Sequence, residues 1–520
     1  MRIHSLWVAL FILLNQAAAQ PRVTGLLCEN LKDPIGVDHP APRLTWQLLS
    51  DRRNTMQSAY EIRVAANPSD LARGANLAWN SGKVASDRSV HIPYAGAAMR
   101  SGTVYHWQVR VWDDQGKSSA WSKPARWQTG LMQASDWKAK WIGPGFAEDS
   151  VNQPSPYLRR SFKTLPKKIA RATAYITALG MYEGSINGQR IGDAHLTPGW
   201  TSYGKRLQYQ TYDVTGLLRQ GDNAVGVILG NGWYRGYIGF SGQNNFYGKR
   251  SGLLFQLDIL YADGSRETVA SDNQWTSSFG SILSSEIYNG ERIDNTLEKK
   301  GWDLPGYPDM VWTNCLEIEG PFPELVTTVN EPVRKQETFK PLKVLTTPKG
   351  EKVIDFGQNL VGWVRVKARG ERGDSLRISH AEVLDKAGDF YTDNLRAARQ
   401  QNVYILRGEG EESFEPHFTF QGFRYIRIEG LKDSVRPDDF TAVALYSDMP
   451  RTGTFTSSNA LLNQLQHNIE WGLKGNFLDV PTDCPQRDER LGWTGDAQAF
   501  ARTATFNRNV NPFFAKWLKD

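Results

Sequence analysis

Residues Asp479 to Gln498 read DVPTDCPQRDERLGWTGDAQ, and the chain on both sides of them is helical in pattern. Within the stretch Pro481, Pro485, Gly492 and Gly495 interrupt any regular element, so it reads as a shaped loop. Upstream, Leu461, Leu465, Ile469 and Leu473 recur four apart behind Ser457 and Ser458, residue types that favour helix N-caps. Downstream, Gly495 to Thr505 and Pro512 to Leu518 read as a second helix and the start of a third. Helices this few cannot bury their own apolar faces, so 449–520 reads as the opening of a larger helical domain.

Before residue 449 the period changes from four to two. Tyr60 to Val64 and Tyr105 to Trp112 alternate apolar and polar, the mark of a strand with one buried face. Asp113 to Gly116 reads as a turn and Trp121 to Thr129 as the returning strand, so 21–131 is expected to be a fibronectin-III- or immunoglobulin-like sandwich. From 137 to 331 come Arg171 to Ile176, Tyr182 to Ile186, Ala224 to Leu229 and Leu253 to Leu260, broken by Asn187-Gly188 and Asp263-Gly264. Asn-Gly and Asp-Gly suit the positive φ of tight hairpins, and the set reads as a jelly roll. Gly362 to Val366, Leu376 to Ile378 and Tyr425 to Ile428 predict a further β-sandwich over 332–448. The fold class is thus multidomain and mainly β, with helices at the end.

At the other end, Arg2 precedes an unbroken apolar run from Leu6 to Leu14, and Ala17 to Ala19 precede Gln20. That is the layout of a secretory signal peptide over 1–19, and the run falls short of the roughly 20 residues that cross a bilayer. Export to a periplasm or the exterior is the expectation, with no membrane attachment after cleavage. Cys28, Cys315 and Cys484 are three scattered cysteines and form no disulfide framework. A net charge of +6 from 61 basic and 55 acidic residues, with no Lys/Arg block, gives nucleic acid no footprint. HExxH, CxxC, GxSxG and phosphate-loop patterns are all missing, so neither a metal site, an organic cofactor nor a hydrolase elbow is expected.

The chemistry is expected in the opening loop, because loops held by rigid elements are where catalytic groups concentrate. Glu489 lies among Asp483, Asp488 and Asp496, and crowding by like charge is one way to raise a carboxyl's pKa until it can serve as a general acid. A solvated Asp-Glu-Arg turn is the plainer alternative.

Asp479 to Gln498 resembles the signature of the bacterial α-L-rhamnosidases of glycoside hydrolase family 78. Asp355 to Trp363, His380 to Leu384 and Gln421 to Tyr425 are similar to motifs of that family's β domain, and Leu196 to Thr201 and Leu229 to Tyr234 to its jelly roll. The resemblance implies that 449–520 begins an (α/α)6 barrel, that Glu489 is the general acid, and that Asp483, Arg487, Trp493 and Asp496 bind rhamnose. Carboxylates and a guanidinium suit sugar hydroxyls, and an indole suits the sugar's C–H face. The implied reaction is inverting hydrolysis of terminal α-L-rhamnose on plant-type glycans or rhamnosides. It needs a second carboxylate about 6.5–9.5 Å away. The family's base is a glutamate in later barrel helices that these 520 residues do not match, so a truncated chain, inactive alone, is the expectation. A non-catalytic carbohydrate-binding protein is the alternative. Asp193, Trp200, Asn231 and Trp233 are candidates for an accessory sugar site in the jelly roll, with calcium as in some family members; hairpin turns around core tryptophans are the competing reading. Ile287 to Glu291 also resembles a family segment, without a chemical role for Glu291.

Overall fold

The computed structural model describes residues 20–320, 322–432 and 434–520. The signal peptide expected over 1–19 lies outside them. Two compact units divide at 132/133.

In the first unit, a sheet of Arg22–Cys28, Arg43–Leu49 and Ile92–Pro93 faces a second sheet built on Gln57–Ala65 and Val104–Asp113. The alternation in Val104–Asp113 turns Tyr105, Trp107, Val109 and Val111 into a core completed by Trp46 and Trp127. The turn closes as expected, with Gly116 at φ +75° and the Asp113 carboxylate accepting from Gln115 N and Lys117 N. The returning strand is shorter than expected, Ala125–Thr129. Pro124 has no N–H to give a ladder, and before it the Ser119 and Ser122 hydroxyls accept from Val111 N and Val109 N instead.

The second unit starts with a jelly roll whose two sheets centre on Ile169–Leu179 paired with Gly252–Tyr261, and on Pro156–Thr164 paired with Gly221–Gly230. The boundary expected at 331/332 is not where the sheets divide. The hairpin Ile282–Glu286 and Gly290–Asp294 leaves the jelly roll and pairs with Gln401–Ile405, becoming the edge of a ten-stranded sheet. Glu324–Thr327, in turn, stays in the jelly roll beside Arg206–Asp213. One hydrophobic core runs from Trp141, Leu196 and Trp233 to Trp363, Phe420 and Phe423, so the two β layers bury each other.

The longest strand, Lys352–Ala368, explains the motif at Asp355. Its pairing with Gln421–Glu429 shifts between Asp355 and Leu360, where Gly357 takes φ +77° and Asp355 grips Arg424 at 2.8 and 2.9 Å.

Helices Ala460–Asn476, Thr494–Asn507 and Asn511–Trp517 follow. The first cap is Asn459 rather than a serine: its side chain accepts from Leu461 N at 2.9 Å, while Ser457 Oγ accepts from Asn459 N. Leu473 packs with Met449, Phe477, Ala504, Val510 and Phe513, but Leu461 and Leu465 at the other end of the stripe are exposed. No helix among the described residues is long and apolar enough to cross a membrane.

Candidate active site

The loop leaves the first helix through a two-rung hairpin, Phe477–Leu478 against Val480–Pro481, with Asp479 at the tip. Asp479 has φ +66°, a region that Asp tolerates better than most residues, and its side chain is buried. It accepts from Trp200 N (2.6 Å), Asn330 Nδ2 (3.2 Å) and Lys516 Nζ (2.9 Å). Lys516, fully buried, also donates to Trp200 O and pairs with Asp520 at 3.1 Å. The Leu196 to Thr201 motif acquires a reason here. Gly199 has φ +96°, and a Cβ on it would lie 2.7 Å from Asp479 Oδ1, so only glycine lets the jelly roll present Trp200 N to that carboxylate.

A second tie is Arg490, whose side chain is wholly buried with φ +48°. Nη1 donates to Ile287 O (3.0 Å) and Phe420 O (2.8 Å), Nε to Arg487 O and Nη2 to Gln486 O, while Tyr288 and Phe420 flank the guanidinium at 5.1 and 5.0 Å. Burial pulls its pKa down to about 10, which still leaves it charged. Glu286 fixes the turn that supplies Ile287 O, accepting from Tyr237 N, Tyr288 N and Asn289 N. Glu291, without a chemical role in the sequence, accepts from His417 N and Phe418 N and so braces the segment that supplies Phe420 O.

On this frame the remaining polar groups form one chain of hydrogen bonds. Asp483 accepts from Leu491 N (2.9 Å) and Arg487 Nη2 (3.1 Å). Arg487 Nε donates to Glu489 Oε2 at 3.0 Å, and Trp493 Nε1 donates to Glu489 Oε1 at 3.1 Å. Tyr288 OH donates to Glu489 O at 2.6 Å. Trp493 is 43% exposed, leaving indole surface open to solvent. Asp496 stands exposed in the first turn of Thr494–Asn507, outside this chain.

The structure therefore brings Asp483, Arg487, Glu489 and Trp493 together, and the electrostatics around Glu489 differ from the sequence expectation. Burial pushes its carboxyl up, but hydrogen bonds from Arg487, Arg396 and Trp493 outweigh burial and hold it below the usual carboxylate range. The reason is that the neighbouring acids are neutralised: Asp483 faces Arg487, and Asp488 faces Arg396 at 2.7 Å. Asp483, Cys484 and Glu489 offer ligand atoms within 4.8 Å of one another, yet the guanidiniums of Arg487 and Arg396 already balance this charge.

Arg396 was not legible in the sequence. It lies 93 residues before Glu489, in the β domain and outside any motif, and reaches Glu489 Oε2 at 2.9 Å.

Of the accessory candidates only Trp200 and Trp233 meet. Trp233 and Asn231 are buried, and the Asn231 amide donates to Ser285 O. Asp193 is exposed and pairs with Arg334. These residues offer no shared oxygen cage, so they do not fit a calcium ion. Trp200 stacks on Trp233 at 5.8 Å and also borders a cavity of about 430 Å³ beside the loop, with Tyr247, Gly492, Thr494 and Trp517.

Four family models match in chain order. They describe a Rha78A-like N-terminal immunoglobulin domain (23–133), an α-L-rhamnosidase N-terminal domain (167–337), a bacterial α-L-rhamnosidase concanavalin-like domain (345–446) and a bacterial α-L-rhamnosidase six-hairpin glycosidase domain (450–520). An α-L-rhamnosidase of Streptomyces avermitilis is 34% identical over 96% of this chain and 64% of its own length. One from Formosa agariphila is 39% identical over 97% of this chain and 55% of its own. The solved structure of the Streptomyces avermitilis enzyme complexed with L-rhamnose superposes with a TM-score of 0.91 at 33% identity, covering 96% of this chain and 64% of that one. The chain thus spans roughly half to two thirds of the length of the curated relatives it matches.

Proposed function

We propose that this chain, which belongs to the bacterial α-L-rhamnosidase family, carries the acid side of a site that hydrolyses terminal α-L-rhamnose from glycans or rhamnosides with inversion. The observation that supports this most is the convergence of Asp483, Arg487, Glu489 and Trp493 on one face of an anchored loop. Glu489 protonates the departing glycosidic oxygen. Asp483 and Arg487 exchange their mutual hydrogen bond for bonds to sugar hydroxyls, Trp493 lies against the sugar's C–H face, and Asp496 joins them from the start of its helix. The base that activates water belongs to the remaining length of the family chain, so residues 1–520 alone are expected to be inactive. Export by residues 1–19 fits a glycan outside the cytoplasm.

The test is Glu489→Gln in a chain carrying the full family length. Hydrolysis of a rhamnoside with a poor leaving group should fall by about 10²–10⁴-fold, while an activated aryl α-L-rhamnoside loses much less. Equal, near-wild-type rates on both would remove Glu489 from the acid role.

A further inference from the structure

Arg396 is placed by the β domain rather than by the loop it contacts. It follows the short turn Asp393–Leu395 with φ +57° and ψ −116°, a conformation that costs an L-residue energy and persists only where the surroundings hold it. They do hold it. Leu395 and Ala398 are buried on either side, and Gln400, wholly buried, is pinned by bonds to Gly422. From this base the guanidinium spans the loop: Nε donates to Asp488 Oδ1 (2.7 Å), and Nη2 donates to Asp488 O and Glu489 Oε2 (2.9 Å each).

We propose that Arg396 is a positioning residue for the reaction, reaching from the β domain to orient Glu489 and to stabilise the carboxylate left after proton donation. This rests on Glu489 being the acid. Arg487 also holds Glu489 Oε2 through Nε, but its Nη2 bond to Asp483 is the one exchanged for sugar hydroxyls, so its guanidinium is shared between Glu489 and the substrate. Arg396 makes no bond to a residue assigned to the sugar other than Glu489, and its second carboxylate partner, Asp488, keeps it in place. The charged and titratable groups facing Glu489 are Arg396 and Arg487 directly, Asp488 and Asp483 behind them, and Cys484 and Tyr288 in the loop floor. Burial lifts Cys484 to about 12, so it stays neutral. The two cations touch the Glu489 carboxylate directly while the two aspartates lie behind them, and Arg396 is the cation that substrate does not claim. A fixed guanidinium makes Glu489 a stronger acid and confines its protonated form to lower pH.

Trp493 reports this directly, because its N–H bonds Glu489 Oε1. In the 520-residue chain labelled with 5-fluorotryptophan, the Trp493 resonance, assigned with Trp493→Phe, should titrate below the ordinary carboxylate range and stop titrating in Glu489→Gln. Arg396→Gln should move that midpoint up by about one pH unit. Arg396→Gly removes the side chain while suiting the positive φ, so it should fold and give the same shift, and Arg396→Lys should restore part of it. In the full-length enzyme, the alkaline limb of kcat/KM should move up with the same variants. A Trp493 midpoint that is the same with and without Arg396, or a resonance that titrates in neither, overturns the proposal. Failure of the acid assignment would show differently, as retained hydrolysis in Glu489→Gln with the Arg396-dependent titration intact.

Discussion

The two carboxylates at either end of one short stretch, Asp479 and Glu489, each accept hydrogen bonds from three groups and are used in opposite ways. Asp479 is enclosed by a backbone N–H, an amide and the buried Lys516, all supplied by distant parts of the second unit. Glu489 meets Arg396, Arg487 and the half-exposed Trp493, on a face open to solvent. The arginines divide likewise. Arg490 spends its donors on four backbone carbonyls and the buried Gln400 amide oxygen and has none left for a ligand, whereas Arg487 bonds only side chains that a sugar hydroxyl can replace. Ten residues therefore separate a frame from a working face: both carboxylates are largely covered, but Lys516 beside Asp479 is fully buried whereas Arg396, Arg487 and Trp493 beside Glu489 keep solvent exposure. A buried ionic group is costly to leave without its partner, while an exposed pair contributes little to stability.

The comparison can be broken by disturbing each part separately. The largest effect on stability is expected from Arg490→Ala, which strands buried carbonyls of Ile287, Phe420 and the loop itself; a loss of roughly 3–5 kcal/mol is expected by denaturant unfolding. Arg487→Ala should leave the unfolding midpoint within about 0.5 kcal/mol of wild type. An intermediate loss, about 1–3 kcal/mol, is expected for Gly199→Ala, because the added Cβ meets the Asp479 carboxylate at a backbone angle that disfavours alanine. A further effect is a pH dependence. Burial lowers the His417 pKa, but its bond to Glu183 (2.9 Å) and the charge of Glu291 overcome this and raise it from 6.5 to about 9. A raised folded pKa gives stability that is fully present below about pH 6.5 and lost as pH rises through about 9. Wild type and His417→Gln should therefore differ in unfolding midpoint at pH 6 and converge at alkaline pH. Because His417 neighbours Phe418 and Phe420, this places the frame's titration on the alkaline side and that of Glu489 on the acid side.

The split between frame and working face also divides the features that local sequence reveals from those it hides. Strands such as Gln57–Ala65 and Val104–Asp113 were legible because alternation is local, and the loop was legible because its acids, arginines and indole are contiguous. The allegiance of the hairpin 282–294 was not, since strand pairing over more than a hundred residues leaves no periodic trace. Nor could spacing distinguish Arg487 from Arg490, three residues apart, as the difference lies in carbonyls delivered by Ile287 and Phe420. Like-charge crowding at Glu489 misled for the same reason: the sequence places Asp483 and Asp488 beside it but hides Arg396, which supplies the opposing charge from across the fold.

The most direct test compares Asp479→Asn with Glu489→Gln in the 520-residue chain, by thermal and denaturant unfolding at pH 7. Asp479→Asn removes the nearer of the two carboxylates facing buried Lys516 and should cost about 3 kcal/mol, whereas Glu489→Gln should unfold with wild type. Equal losses in the two variants, or a larger loss in Glu489→Gln, would contradict the division of this loop into frame and working face.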